Sequence, residues 1–236
     1  MRRTILLCAL VLAPHLAAAQ GTTTFASGAE GWVGPSGPGG ATTLEPTGGN
    51  PDHNLRTVFN DFGITFANDS NPAFVFDLTT LAGIRIAIDL KVDNLEFFGS
   101  PVSRPWLVDL RDTDDAEPGY PWTSVWFKFA DVAQASTGAW TTFGVVIAEP
   151  EATELPEGWG GYGAEDAQGN PILPPDRTFA SVLAGVDEIA FTTLEPGFFF
   201  GFTDHTFRID NVTLEGPLFR DGFESEDFSA WSGAFP

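Results

Sequence analysis

The sequence predicts an all-β fold: a two-sheet antiparallel β-sandwich of about nine strands with one short helix. Three observations lead to this prediction. Short runs of apolar residues alternate with polar ones, which is the period of a strand with one buried face. Segments rich in glycine and proline separate these runs, as turns do. Hydrophobic residues make up 43% of the chain and include 22 phenylalanines, so a large core can form.

The clearest strand covers residues 84–93, where five apolar residues occupy every second position: Ile84, Ile86, Ile88, Leu90 and Val92. Similar but shorter patterns predict the other strands at 22–26, 54–59, 73–79, 105–112, 122–130, 140–148, 186–194 and 206–215. A helix is predicted over 176–185, capped by Asp176 or Thr178 and ended by Gly185. Segments 34–51 and 149–176 are rich in glycine and proline and are predicted to be surface loops.

The last predicted strand changes register near its middle. Phe207 and Ile209 share one face, whereas Val212 and Leu214 have the opposite parity. If all four side chains are buried, a β-bulge at Asp210–Asn211 must absorb one residue. The alternative is that Val212 and Leu214 pack elsewhere.

The chain begins with a pattern typical of a secretory signal peptide. Residues 1–19 combine two arginines, an apolar run and a small-residue end. We therefore expect a secreted protein with a domain at 20–215 and a C-terminal tail at 216–236. The single cysteine, Cys8, lies in the predicted leader, so the domain must be stable without disulfides.

The charge balance restricts the partners. The chain has 32 acidic residues against 11 lysines and arginines, and its formal net charge is −21. Nucleic acids, anionic lipid surfaces and strongly acidic polysaccharides would be repelled. Neutral polysaccharides, glycoconjugates, cations and surface proteins remain as partners. An alternative is that the acidic surface only keeps a secreted protein soluble.

Four short motifs carry a resemblance to a known family: "FASGAEGW" at 25–32, "GGNPDHNL" at 48–55, "FASVLAGVDEIAF" at 179–191 and "FRIDNVTLE" at 207–215. In order and spacing they resemble laminin IV type A domains and related galactose-binding-like jelly rolls, including carbohydrate-binding modules of bacterial secreted proteins. The resemblance spans nearly all of residues 22–215. It implies a β-sandwich that binds carbohydrate or an extracellular matrix component.

The resemblance also implies a structural calcium ion where the first and last strands meet. The matching positions are Glu30, Asn50, Asp52 and Asp210. Calcium prefers six to eight oxygen ligands, which carboxylates, amides and backbone carbonyls supply. The alternative is that these are ordinary surface residues in an acidic chain.

Aromatic side chains are the expected means of sugar binding, because their rings stack on pyranose faces while polar groups contact hydroxyls. Trp159 and Tyr162 in "EGWGGYG" are the first candidates, since neighbouring glycines leave them few packing partners, and Glu157 could accept a hydroxyl hydrogen bond. Tyr120 and Trp122, at a strand entrance, are the second choice. Alternatively, Trp159 pins the long loop onto the sandwich. Trp126 and Trp140 lie in strand patterns and are predicted to be core.

The sequence favours a binding protein over an enzyme. Only His53 and His205 follow the leader, and neither lies in a hydrolase or metalloprotease motif. A polysaccharide hydrolase or lyase remains a less favoured alternative, because two carboxylates can make a glycosidase. A structural or adhesive surface protein without a small-molecule site is the third class.

The tail contains "DGFESEDFSAW" at 221–231, which resembles short C-terminal segments of many secreted proteins of Gram-negative bacteria. Glu226 departs from that pattern, which has glycine there. The resemblance implies an export or surface-attachment signal. The alternatives are a segment that adds to a sheet edge and a terminus without a packed structure.

Overall fold

A computed structural model describes residues 21–216. The predicted leader and all of the tail beyond Gly216 lie outside the described residues. Within them the chain forms fifteen strands, two short α-helices and one 3-10 helix at Leu78–Thr80. The two α-helices are α1 (Gln134–Thr137) and α2 (Phe179–Ala184). In this part of the chain no helix has the length and apolarity needed to cross a membrane.

Two antiparallel sheets face each other, as predicted. The first sheet runs in the order β10-β6-β15-β4-β3, with β1 beside β15 and β7 beside β6. Its strands are β1 (Gly21–Thr23), β3 (Gly40–Gly49), β4 (Asp52–Asp61), β6 (Ile84–Phe97), β7 (Ser100–Pro101), β10 (Thr141–Ile147) and β15 (Thr203–Glu215). Because successive strands repeatedly move from one sheet to the other, the fold is a jelly-roll sandwich.

The second sheet runs in the order β11-β9-β8-β14-β5-β2. Its strands are β2 (Trp32–Val33), β5 (Thr65–Asn68), β8 (Arg104–Asp112), β9 (Thr123–Val132), β11 (Trp159–Tyr162) and β14 (Glu188–Thr192). A separate small hairpin pairs β12 (Ala164–Glu165) with β13 (Pro171–Ile172). The segment predicted as one long loop at 149–176 therefore contains three short strands, and β11 extends the edge of the second sheet.

The core lies between the sheets. The 84–93 alternation is confirmed, because Ile84, Ile86, Ile88, Leu90 and Val92 are all buried in it. Aromatic rings from the other sheet face them, and Trp106 packs within 6.2 Å of Phe191 and 6.0 Å of Phe207, measured between ring centroids. Burial on this scale replaces the missing disulfides as the source of stability.

The predicted bulge in the last strand is confirmed. The pairing of β15 with β6 shifts register between Asp210 and Thr213, and Asn211 has a left-handed backbone with φ of 48°. As a result Phe207, Ile209, Val212 and Leu214 are all buried. The predicted helix is confirmed as α2, whose cap Thr178 accepts a hydrogen bond from the Ser181 amide at 3.1 Å.

Two element predictions are wrong. Residues 73–79 form turns that lead into the 3-10 helix, because the Asn71 carbonyl accepts hydrogen bonds from the Phe74 and Val75 amides. Residues 40–49, predicted to belong to a loop, form β3. This strand is the edge of the first sheet and no residue in it is buried, so it has no apolar face to recognise.

Candidate functional site

The second sheet has an outer face that points away from the core. On β9, Val125, Phe127 and Phe129 pack with the core, so Ser124, Trp126 and Lys128 point outward. The same alternation directs residues of the other strands to this side. We define the outer face by Asp109 and Arg111 of β8, Ser124, Trp126 and Lys128 of β9, Tyr162 of β11, and Glu188 and Ala190 of β14.

Strand register aligns these residues in rows. One row runs across the sheet through Gly160, Trp126, Asp109, Ala190 and Ala67. The next row runs through Tyr162, Ser124, Arg111 and Glu188. The Asp109–Arg111 pair therefore lies in the middle of the face, with Ala190 and Glu188 on its β14 side. The large aromatic residues lie at the β9–β11 side.

Three aromatic residues form a cluster at that side. The Tyr162 ring lies 5.4 Å from Tyr120 and 6.1 Å from Trp122, measured between centroids. All three residues are half-buried, so part of each side chain is accessible. Burial raises the pKa of the Tyr162 hydroxyl, and Tyr120 and Asp109 add to the effect. The hydroxyl therefore stays protonated and able to donate at neutral pH.

An ion-pair triad lies beside the aromatic cluster. Arg111 Nε donates to Asp109 Oδ2 at 2.7 Å, and another guanidinium nitrogen donates to Glu188. Asp109 and Arg111 are only 4% and 7% exposed. Burial is the largest influence on Arg111 and lowers its pKa, but the two carboxylates more than offset this and the pKa is raised. The guanidinium therefore remains charged.

Trp122 covers the triad. The guanidinium carbon of Arg111 lies 4.0 Å from the centroid of the Trp122 ring, which is a cation–π contact. One indole face is thus fixed against the protein. A ring held in this way loses little conformational freedom when a ligand stacks on its other face.

Two buried oxygens of the outer face have no protein partner. They are Asp109 Oδ1 and Ser124 Oγ, and they come from adjacent strands in neighbouring rows. A buried polar atom without a hydrogen bond costs about 1–3 kcal/mol. Both atoms are closed off from solvent, so a ligand on the outer face does not reach them and this cost belongs to the fold.

A second ion pair lies in the third row of the same face. Lys128 Nζ lies 3.0 Å from Glu195 Oε2 and 2.9 Å from Asp131 Oδ1. Burial is the largest influence and lowers the lysine pKa, but Asp131 and Glu195 outweigh it and the pKa is raised. Both cations of the outer face, Arg111 and Lys128, are therefore already neutralised by carboxylates of the chain.

The structure separates the predicted ligand-binding residues into two groups. Tyr120, Trp122 and Tyr162 lie together at the outer face. Trp159 lies on the opposite side of β11, is 8% exposed, and packs 5.1 Å from Phe179 and 5.6 Å from Phe127. The expectation that Trp159 has few packing partners is wrong, and the alternative that it pins the loop to the sandwich describes it correctly.

Glu157 and Trp159 border a different depression, an apolar groove between β10 and the segment before β11. Its lining includes Phe127, Val145 and Leu155. Glu157 is exposed there, on the side of β11 away from the outer face. No contact of the described residues connects Glu157 with the Tyr120–Trp122–Tyr162 cluster.

Trp126 was predicted to lie in the core but belongs to the outer face. It is half-buried, lies opposite Asp109 in the strand register, and donates from Nε1 to the Gly161 carbonyl at 3.3 Å. Its even position, between the inward-facing Val125 and Phe127, was the available signal. Gly160 leaves room for the indole, because a Cβ there would lie 2.3 Å from the ring.

Two of the four predicted calcium ligands lie together at the bulge. The Asn50 amide donates to Asp210 Oδ2 at 2.6 Å, and the Asn50 side chain donates to Asp89 Oδ2 at 2.9 Å. Asn211 also donates to Asp89, at 2.8 Å. Burial raises the pKa of Asp210, although the Asn50 and Asn211 amides lower it, and the neighbouring Asp89 raises it further.

The other two predicted ligands are not joined to this group by any contact in residues 21–216. The Glu30 carbonyl accepts from the side chains of Asn68 and Asn71, both at 3.1 Å. Asp52 is exposed in the turn that follows Asn50, paired with Gly49. Over the same range, no group of three or more acidic, histidine or cysteine side chains is arranged to hold a metal ion. The four-residue ligand set stays a prediction.

Comparison with known proteins gives structural likeness only. No family model matches the chain, and no curated protein matches it. The resemblance to laminin IV type A domains therefore stays a prediction, as does that of the tail.

Among solved structures, a family 11 carbohydrate-binding module from Clostridium thermocellum, in complex with a mixed-linked tetrasaccharide, is 14% identical. The match covers 86% of this chain and 98% of that one, with a TM-score of 0.49. A family 22 module of a xylanase from the same organism is 13% identical over 83% of this chain and 92% of its own, with a TM-score of 0.44.

A two-module xylanase structure from that organism, complexed with xylohexaose, is 14% identical. That match covers 85% of this chain but 29% of the other, with a TM-score of 0.46. These values describe a loose likeness in the arrangement of strands.

Proposed function

We propose that the protein is a secreted, non-catalytic binding module that holds a neutral polysaccharide or glycoconjugate on the outer face of its second sheet. The observation that carries the proposal is the juxtaposition of Tyr120, Trp122 and Tyr162 with the Asp109–Arg111–Glu188 triad. Aromatic rings beside a few fixed polar groups are the usual composition of a ligand site.

The charges of the outer face favour a neutral ligand. Arg111 and Lys128 are both paired with carboxylates, and the whole chain has a formal net charge of −21. An anionic polymer would meet repulsion with no free cation to offset it. A neutral sugar can stack on Trp122 and exchange hydrogen bonds with the hydroxyl groups of Tyr120 and Tyr162, which are half-buried.

The same contacts support a non-catalytic role. A glycosidase places two carboxyl groups on opposite sides of the scissile bond. The two carboxylates of this face, Asp109 and Glu188, each direct an oxygen at Arg111 instead, and Asp131 and Glu195 beside the face do the same at Lys128. Incubation with the bound polysaccharide should release no reducing sugar. Steady release that Asp109→Asn abolishes would instead favour the hydrolase alternative.

The binding test is affinity electrophoresis of the full chain through gels that contain neutral or acidic polysaccharides. We expect retardation by at least one neutral glycan, weakened at least tenfold by Trp122→Ala, since anchor aromatics contribute more than about 1.4 kcal/mol. Trp140→Ala is the matched control, because Trp140 is half-buried before β10 of the other sheet. Equal losses in the two variants, at equal melting temperature, would contradict the proposed site.

A structural or adhesive surface protein is the second candidate. Residues with exposed apolar side chains, described below, favour it. If no polysaccharide retards the wild-type chain, this candidate replaces the binding module, and its partner is then a protein.

We also propose that calcium, the predicted cofactor, stabilises the fold at the Asp89–Asp210 pair. Two buried carboxylates lie side by side there, with no ion-pair partner among the salt bridges of residues 21–216. Oxygen ligands of this kind suit calcium. Against this, both Asp210 oxygens and both Asp89 oxygens already accept hydrogen bonds from the chain.

A melting experiment tests the calcium proposal. We expect the melting temperature to rise when calcium replaces EDTA, and Asp210→Asn to abolish that rise. Arg85→Gln removes an ion pair with Glu215 and no hydrogen bond to Asp89 or Asp210, so it should leave the rise in melting temperature unchanged. A melting temperature independent of calcium would show that the hydrogen bonds alone satisfy the two carboxylates.

The proposal also includes secretion of the protein and a role for residues 216–236 in export or surface attachment. Deletion of 217–236 separates the alternatives for the tail. Loss of export or surface retention with an unchanged melting temperature would support a signal, and a lower melting temperature would support packing on the domain.

A further inference from the structure

A patch of exposed phenylalanines lies at one end of the sandwich. Two segments form it: the loop between β14 and β15 and the β6–β7 hairpin. Its five members are between 37% and 88% exposed: Phe97, Phe98, Phe198, Phe199 and Phe202. We call this set the phenylalanine patch.

The two segments form one continuous surface. Phe62 lies beneath the loop, 4.1 Å from Phe202 and 5.0 Å from Phe199 between ring centroids. On the hairpin, Phe97 and Phe98 are 4.6 Å apart. Gly201 joins the segments, because a Cβ there would lie 2.5 Å from the Phe97 ring. Phe62 and Gly201 therefore support Phe97, Phe199 and Phe202, and the two segments together present an apolar surface.

The size of the patch is that of half a protein interface. From the fractional exposures, the five rings offer roughly 600 Å² to solvent. The largest apolar patch of a typical monomer is about 300–600 Å². Two such patches facing each other would bury about 1,200 Å² before the surrounding side chains are counted, which reaches the range of specific interfaces.

We propose that the phenylalanine patch is the interface of a symmetric dimer, so that its occupant is a second copy of this chain. An apolar patch is complementary to itself, as a twofold contact requires. The five side chains carry no charge, and the guanidinium of Arg104 is covered by the Phe200 ring, whose centroid lies 4.7 Å away. Association is therefore driven by the removal of phenylalanine surface from water.

The position of the patch argues against the C-terminal segment as its occupant. β15 begins at Thr203, next to the patch, and ends at Glu215. At about 3.3 Å per residue, the strand carries the chain roughly 40 Å away before the tail begins. The C-terminal segment would need about twelve residues only to span this distance back to the patch.

The full chain is tested by sedimentation equilibrium between about 1 and 200 µM, at low and high salt. We expect a monomer–dimer equilibrium that high salt strengthens, because salt screens the repulsion between two copies with a formal charge of −21 each. Phe98→Ser and Phe199→Ser should each weaken the dimer at least tenfold, because each change acts twice in a symmetric interface.

Val146→Ser is the matched control, since Val146 is 65% exposed on β10. It should leave the dimer unchanged, and Trp122→Ala should do the same. A monomer at every concentration, or a dimer that survives both phenylalanine changes, would overturn the proposal. A monomer that floats with phosphatidylcholine vesicles through Phe98 and Phe199 would assign the patch to a lipid surface instead.

Discussion

Removal of the Arg111 guanidinium is the sharpest test of the outer face as a preorganised site. Arg111 is buried and holds both Asp109 and Glu188. Arg111→Gln leaves the two carboxylates together with no cation, which is the costly way to break a buried ion pair. If the triad holds Trp122 in place for a ligand, its removal must therefore also lower the free energy of unfolding by a large amount.

The magnitude follows from burial. Breaking a buried pair costs about 3–5 kcal/mol. The Glu188 side chain is 23% exposed and can regain water, so the lower end, about 3 kcal/mol, is expected. Loss of the cation–π contact with Trp122 adds about 0.5–1 kcal/mol. In a domain of this size, the total of about 3.5–4 kcal/mol corresponds to a fall in melting temperature of roughly 7–16 °C.

The assay is urea and thermal unfolding followed by circular dichroism, with Arg85→Gln as the matched control. Arg85 pairs with Glu215 at 3.4 Å, but both side chains are more than 40% exposed, so about 0.5 kcal/mol is expected. The double variant Asp109→Asn/Arg111→Gln should be more stable than Arg111→Gln alone, because it removes an uncompensated charge. Equal stability of Arg111→Gln and Arg85→Gln would show that the buried triad contributes no more to stability than an exposed ion pair.

Two further predictions concern the core and the outer face. Burial lowers the pKa of His205 from 6.5 to about 4, so the unfolded chain binds more protons between these values, and folding stability should fall by about 3 kcal/mol as the pH drops from 6.5 to 4. In urea unfolding titrations, folded His205→Gln should therefore lose less stability than wild type between pH 6.5 and about 4. An equal loss in both proteins would show that His205 does not cause it. Gly160→Val should displace Trp126, because a Cβ at Gly160 would lie 2.3 Å from the indole; a shifted tryptophan emission with weakened glycan retardation is expected, and normal retardation would remove Trp126 from the site.

The sequence predicted the strands that have one buried face. The 84–93 alternation and the bulge at Asp210 were readable because a two-residue period must be broken by an inserted residue when both halves stay buried. The β3 strand was not predicted because it lacks such an alternation. It pairs only with β4, contains Pro46 at a break in register, and buries no residue, so nothing in its pattern distinguishes an edge strand from a loop.

The candidate site was predictable only in part. Tyr120, Trp122 and Tyr162 were identified as aromatic residues in polar, glycine-rich surroundings. Their meeting with Asp109 and Arg111 depends on the order β11-β9-β8-β14, which no local pattern contains. Trp159 shows the converse. Its flanking glycines indicated exposure, but the second sheet turns its ring onto Phe127 and Phe179.

Binding of a neutral glycan to the outer face of the second sheet can be measured by isothermal titration of the full chain with the polysaccharide that retards it most. The titration compares wild type, Trp122→Ala and Trp140→Ala. We expect Trp122→Ala to lower the affinity at least tenfold and Trp140→Ala to leave it unchanged, with both variants folded. Wild-type affinity in folded Trp122→Ala would show that the glycan does not bind at this face.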